Sequence, residues 1–135
     1  MNRKNYLKIV LATLMFVFLF ASITYASGIQ GNLIFTTETV YYEGDTVVIY
    51  GYWFNDTNKY IPYTNWVNMN VYALHRNFQE LVASGQFNQR NYIYLEPGKA
   101  KYWTYRIHNC PIIPLYRWQV DTEVNYHWKN SSVDI

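Results

Sequence analysis

His75, His108 and His127, together with Cys110, are the side chains best suited to hold a metal or to act as base and nucleophile. His108 and Cys110 stand two positions apart and offer one nitrogen and one sulfur. Structural zinc takes four ligands, usually in paired spacings, and no second pair completes the set. A Cys and His nucleophilic site needs a third group to orient the base, and Pro111 follows Cys110 directly with no such motif nearby. Hydrolysis of a glycosidic bond takes two carboxyl groups about 5 to 9 Å apart. Asp121 and Glu123 sit at i and i+2, roughly 7 Å apart on one strand face. That face also carries Arg117, Gln119 and Lys129, the make-up of a solvated surface. The reading is no catalytic residue, no metal and no cofactor, with solvated histidines, a buried inert thiol and a charged outer strand face.

Aromatic residues offer a different chemistry. Of 15 Tyr, 5 Trp and 7 Phe, only Tyr6, Tyr25, Phe16, Phe18 and Phe20 precede residue 28, which leaves more rings than one small core hides. Tyr50 and Tyr52 share the second face of their strand, and Trp66, Asn68, Asn70 and Tyr72 share one face of the next. These six are the candidate partner-binding residues, read as a flat stacking and hydrogen-bonding platform. Ring faces stack on apolar sugar faces and amides bind hydroxyls, while Tyr and Trp are also enriched in protein interfaces. Burial against the opposite sheet or on Ile29 and Leu33 is the competing reading for the same rings.

The elements that must position them begin after a separable leader. Arg3, Lys4 and Lys8 form a positive head, residues 9–21 are apolar apart from Thr13, and Thr24-Tyr25-Ala26 is a small-residue exit. Residues 1–27 therefore read as a secretory signal peptide cleaved after Ala26 or Ser27. The rival is a retained membrane anchor over 9–26, which Thr13, Ser22, Thr24 and Tyr25 weaken. Residues 28–135 are then a single domain. The full chain carries a net charge of +2, but beyond the leader eight basic residues meet nine acidic ones. That balance lacks the electrostatic footprint of a nucleic-acid binder, and with one cysteine no intrachain disulfide can form.

Strand signals dominate this domain. From 117 to 129, Trp118, Val120, Thr122, Val124, Tyr126 and Trp128 alternate without a break with polar residues, so one face lies on a core and the other in water. Further strands are expected over 32–40, 46–55, 65–74, 80–87, 92–95 and 100–107, with Glu96-Pro97-Gly98-Lys99 as a type II turn and 109–115 as a connecting loop or edge. Six to seven strands at this spacing predict an all-β, immunoglobulin-like antiparallel β-sandwich without the Cys, Trp, Cys hallmark of antibody domains.

Gly44-Asp45-Thr46-Val47-Val48-Ile49 followed by Gly51-Tyr52-Trp53-Phe54-Asn55, the alternating strand from Val67 to Ala73, and Ile93 to Gly98 with Trp103-Thr104-Tyr105 carry a family likeness. Residues 41–107 resemble two bacterial extracytoplasmic domains, the SLAP domain of S-layer-associated proteins and the FxLYD-type domain. The His75-Arg76-Asn77 turn lacks the Asp-Gly common in such domains, and the final strand lies outside the matched span. The resemblance implies a non-enzymatic secreted or cell-surface module and carries over no site residue.

The functional expectation is an exported binding or structural module, at the cell surface or outside the cell, that contacts protein or glycan. Membrane contact is expected only if the leader is retained. The alternatives are a small secreted carbohydrate-active enzyme and an inhibitor that pairs an edge strand with its target. Asn55-Asp56-Thr57 and Asn130-Ser131-Ser132 match the N-glycosylation pattern, which matters in a host that glycosylates.

Overall fold

The period-two stretches become seven antiparallel strands in the structure, a computed structural model that describes residues 28–114 and 116–133. The expected signal peptide lies outside the described residues. The strands are β1 (Leu33–Glu43), β2 (Thr46–Asn55), β3 (Tyr60–Leu74), β4 (Gln79–Phe87), β5 (Asn91–Leu95), β6 (Ala100–Ile107) and β7 (Arg117–Lys129). β2, β6 and β7 have the expected bounds. β1 runs past Val40 to Glu43, because the β1–β2 hairpin turns only on Gly44, at φ 63°, and Asp45. β3 begins at Tyr60 rather than Asn65. Pro62 cannot donate to a ladder, and the register shifts around it in both the β5 and the β7 pairing.

β1, β2 and β6 form one sheet in that order. In the other sheet β3 is central. β7 lines one of its edges from Tyr60 to Leu74, while β4 and β5 share the opposite edge, β4 opposite 67–74 and β5 opposite 61–64. The chain changes sheets between β2 and β3, between β5 and β6, and between β6 and β7, which gives an open, immunoglobulin-like sandwich. The Glu96-Pro97-Gly98-Lys99 turn closes with Lys99 N–H donating to Glu96 O at 3.2 Å and Gly98 at φ 75°.

Val47, Ile49 and Trp53 of β2, Leu33 and Phe35 of β1, and Tyr105 and Ile107 of β6 meet Val67, Met69, Val71 and Ala73 of β3 in one core. Gly51 is fixed by proximity. A Cβ there would fall inside the contact radius of the Thr36 carbonyl oxygen and 2.9 Å from Phe35 Cζ, where the β1–β2 register slips between Thr37 and Thr39.

Asn55 closes the end of β2 and is fully buried. Its Nδ2 donates to Lys59 O at 2.7 Å and Leu95 O at 3.0 Å, and its Oδ1 accepts from Thr57 N–H at 3.0 Å and Thr57 Oγ1 at 2.6 Å. One side chain thus ties β2, the turn after it and the end of β5. The first glycosylation sequon is consumed by this network, since a glycan on Nδ2 would displace both carbonyl contacts.

Tyr105 is the second buried polar anchor, its hydroxyl accepting from Trp53 Nε1 at 3.0 Å. Burial pushes its hydroxyl from 10.0 up to about 12, against smaller lowering by the Trp53 and Asn91 hydrogen bonds. A folded pKa above the unfolded one contributes stability below pH 10 and loses it as pH rises to 12. The expected loss across that window is on the order of 2 to 3 kcal/mol. Urea unfolding at both ends of the window checks it, and Tyr105→Phe should flatten most of the step. An unchanged step in that variant would assign the loss elsewhere.

Candidate functional site

The solvent face of the β1–β2–β6 sheet carries one group of exposed rings, Tyr41, Tyr50 and Tyr102, while Tyr92 and Tyr94 of β5 are exposed on the other sheet, where Tyr92 meets Tyr63 edge-on at 5.5 Å and Arg90 lies 4.2 Å over the Tyr63 ring. Outward residues of an antiparallel sheet are ordinarily polar, yet β2 sends out Val48, Tyr50, Tyr52 and Phe54. The register sets Tyr41 and Arg106 beside Val48, Thr39 and Thr104 beside Tyr50, Thr36 and Tyr102 beside Tyr52, and Ile34 and Ala100 beside Phe54. Tyr50 and Tyr102 stack at 5.7 Å with planes 12° apart, and Tyr52 meets Tyr102 edge-on at 5.5 Å. Tyr102 is the most open of them, 57% exposed.

Two carboxylates of β1 reach over β2 to donors on β6. Glu38 is the residue skipped where the β1 register slips, and a bulge re-aims a side chain. It hydrogen-bonds the Tyr102 hydroxyl, and its negative charge, with lesser help from desolvation and the neighbouring tyrosines, raises the Tyr102 pKa. Glu43 Oε2 lies 4.0 Å from Arg106 Nη2. Val48, between the two strands these carboxylates bridge, is wholly covered despite facing outward. The result is a strip of tyrosines whose ring faces are partly used on one another.

The six sequence-derived candidates do not share a surface. Tyr50 and Tyr52 lie on this strip, whereas Trp66, Asn68, Asn70 and Tyr72 face outward from the other sheet, on the opposite side of the sandwich. The single platform is thus corrected to two faces, because β2 and β3 are consecutive in sequence but belong to different sheets. Asn68 and Asn70 line a shallow depression of about 250 Å³ with Ser84, Gln86, Asp121 and Glu123. Some of its polar groups have side-chain partners: Asn70 Oδ1 accepts from Ser84 Oγ at 2.7 Å, and Asp121 Oδ1 accepts from Gln119 Nε2, outside the depression, at 2.8 Å. Tyr102 was the missed member of the strip. The alternation that turns Trp103, Tyr105 and Ile107 inward already places it outward, whereas nothing in the sequence signals the bulge that aims Glu38.

The groups with metal or nucleophile chemistry each have local partners. His75 stacks on Phe78 at 4.4 Å and sits 3.3 Å from Glu80, His108 Nδ1 pairs with Thr46 Oγ1 at 3.0 Å, and His127 stacks on Tyr63 at 5.1 Å. Cys110 is buried, with Sγ donating to Ile107 O at 3.4 Å. Among the described residues no group of three or more His, Cys, Asp or Glu is placed to hold a metal ion, and no helix is long and apolar enough to cross a membrane.

Fold and surface together define the class, an all-β sandwich with an aromatic strip on the solvent face of its three-stranded sheet. No protein-family model matches the chain, no curated protein is similar to it, and no solved structure matches it.

Proposed function

We propose that this protein is an exported, non-enzymatic binding module that works at the cell surface or outside the cell and contacts another protein through the Tyr50, Tyr52 and Tyr102 strip. The observation that carries the reading is the form of that strip. Sugars stack on free ring faces, but Tyr50 and Tyr102 spend a face on each other. Tyrosine is enriched in protein contacts over the rest of the surface. The leader-like residues 1–27 and the resemblance of residues 41–107 to extracytoplasmic domains support the location.

Crosslinking with mass spectrometry on the native surface, run beside Tyr50→Ser/Tyr102→Ser, tests it. Losing two exposed interface tyrosines should weaken capture of the partner by about tenfold or more while the melting temperature stays close to that of the parent. Undiminished capture by the variant, or retention of the protein on immobilised polysaccharide that the variant abolishes, overturns the reading. Sequencing the N-terminus of the protein from its host checks export, for which a start at Ser27 or Gly28 is expected.

A further inference from the structure

β7 has one edge on β3, and among the described residues no strand pairs with the other. It is long, 13 residues, and free of bulges: where the β3–β7 register slips, the extra residue lies in β3 each time. β7 holds no Pro and no Gly. A regular edge of this kind is a template for another strand. Its core side is also incompletely covered. Trp118, Val120, Thr122, Val124 and Tyr126 are half-buried and Trp128 is 40% exposed, whereas Val67, Met69, Val71 and Ala73 of the adjacent strand are sealed.

We propose that this edge pairs with β7 of a second copy of the chain, antiparallel about a two-fold axis at Val124 or Asn125, which joins the two four-stranded sheets into one. The charge pattern of the strand argues for that occupant. Its outward face reads Arg117, Gln119, Asp121, Glu123, Asn125, His127 and Lys129, acidic in the middle and basic at both ends. A two-fold axis normal to the sheet sets outward residues opposite outward residues. Centred on Asp121 or Glu123, it opposes a carboxylate to itself; centred on Thr122, it opposes Asp121 to Glu123. Centred on Val124, it sets Asp121 against His127, Glu123 against Asn125 and Gln119 against Lys129. Centred on Asn125, it sets Asp121 against Lys129 and Glu123 against His127. Centres nearer either end pair fewer residues. The inward face agrees, since the Asn125 centre places Val124 beside Tyr126 and Thr122 beside Trp128, the aromatic and β-branched pairs that stabilise neighbouring strands.

The surface is separate from the tyrosine strip, so the Tyr50→Ser/Tyr102→Ser variant should keep the dimer. Sedimentation velocity of the protein over a concentration series, at low and high salt, gives the first measurement. A dimer that weakens as salt rises is expected, and a monomer at every concentration overturns the proposal. Asp121→Lys/Glu123→Lys makes the strand basic throughout, and His127→Glu/Lys129→Glu makes its C-terminal half acidic. Each variant alone should dimerise at least about tenfold more weakly, and an equimolar mixture should recover a heterodimer. Variants that dimerise as the parent does, or a mixture that stays monomeric, overturn it. Amide exchange in the unaltered protein keeps the test independent of variant folding: amides of 119–129 should gain protection with concentration, and concentration-independent exchange there counts against the dimer.

Discussion

Asn55→Asp should be among the most damaging single changes in this protein, although it alters neither size nor shape. The Nδ2 that donates to the Lys59 and Leu95 carbonyls becomes an oxygen facing two oxygens. A carboxylate in that fully buried position would lack any donor on that side, and uncompensated buried charge costs roughly 3 to 5 kcal/mol. Most domains hold only about 5 to 15 kcal/mol in total. The sign with pH follows from the same contacts. Burial and the facing carbonyls raise the folded pKa of the introduced carboxyl above its unfolded value near 3.9. Its protonated form can donate to one of the two carbonyls, so the deficit should shrink as pH falls through that raised pKa and be full at neutral pH. Urea unfolding of parent and variant across the acid range measures it. A deficit that does not change with pH would mean that the loss is not one of buried charge.

Trp53→Ala should cost a comparable amount by another route. Trp53 is fully buried, its ring lies 5.1 Å from Phe35, and its indole nitrogen supplies the hydrogen bond to the Tyr105 hydroxyl. Removing the ring deletes apolar contact, opens a cavity between the sheets and takes a partner from a buried hydroxyl, a loss of roughly 3 to 5 kcal/mol. Trp53→Phe keeps part of the volume while still deleting the hydrogen bond, and should fall well short of that. Equal losses for the two variants would show that the polar contact, rather than packing, holds this part of the core.

What could be read in the sequence follows from what period two encodes. Alternation separates the two faces of β2, β6 and β7 and most of β3 and marks the inward row of β3, but both faces of β2 are apolar, so it does not say which of them lies on the core. It carries no label for sheet membership, so the Tyr50 and Tyr52 face and the Trp66 to Tyr72 face were joined although they point away from each other. Pro62 obscured the first part of β3, because the strand continues through a position that cannot donate. The bulge that sends Glu38 toward Tyr102 depends on Gly51 letting the two backbones approach. Neighbouring strands decide that approach, and no local pattern announces it. Asn55 resembled a surface glycosylation signal for the same reason: its two acceptors come from Lys59 and from Leu95, and the second is placed by the fold.

The position of β3 also has a kinetic meaning. Its β4 partner is delivered by the short turn after Leu74, so that pairing is local and fast to find. The pairing with β7 runs from Leu74 with Arg117 to Tyr60 with Lys129, and every contact closes a long loop whose entropy must be overcome before the ladder forms. During synthesis the apolar row of Val67, Met69, Val71 and Ala73 therefore waits with one bare edge until β7 emerges. β7, the last of the seven described strands, completes the pairing of β3, and a chain interrupted before it would leave that edge bare and open to aggregation.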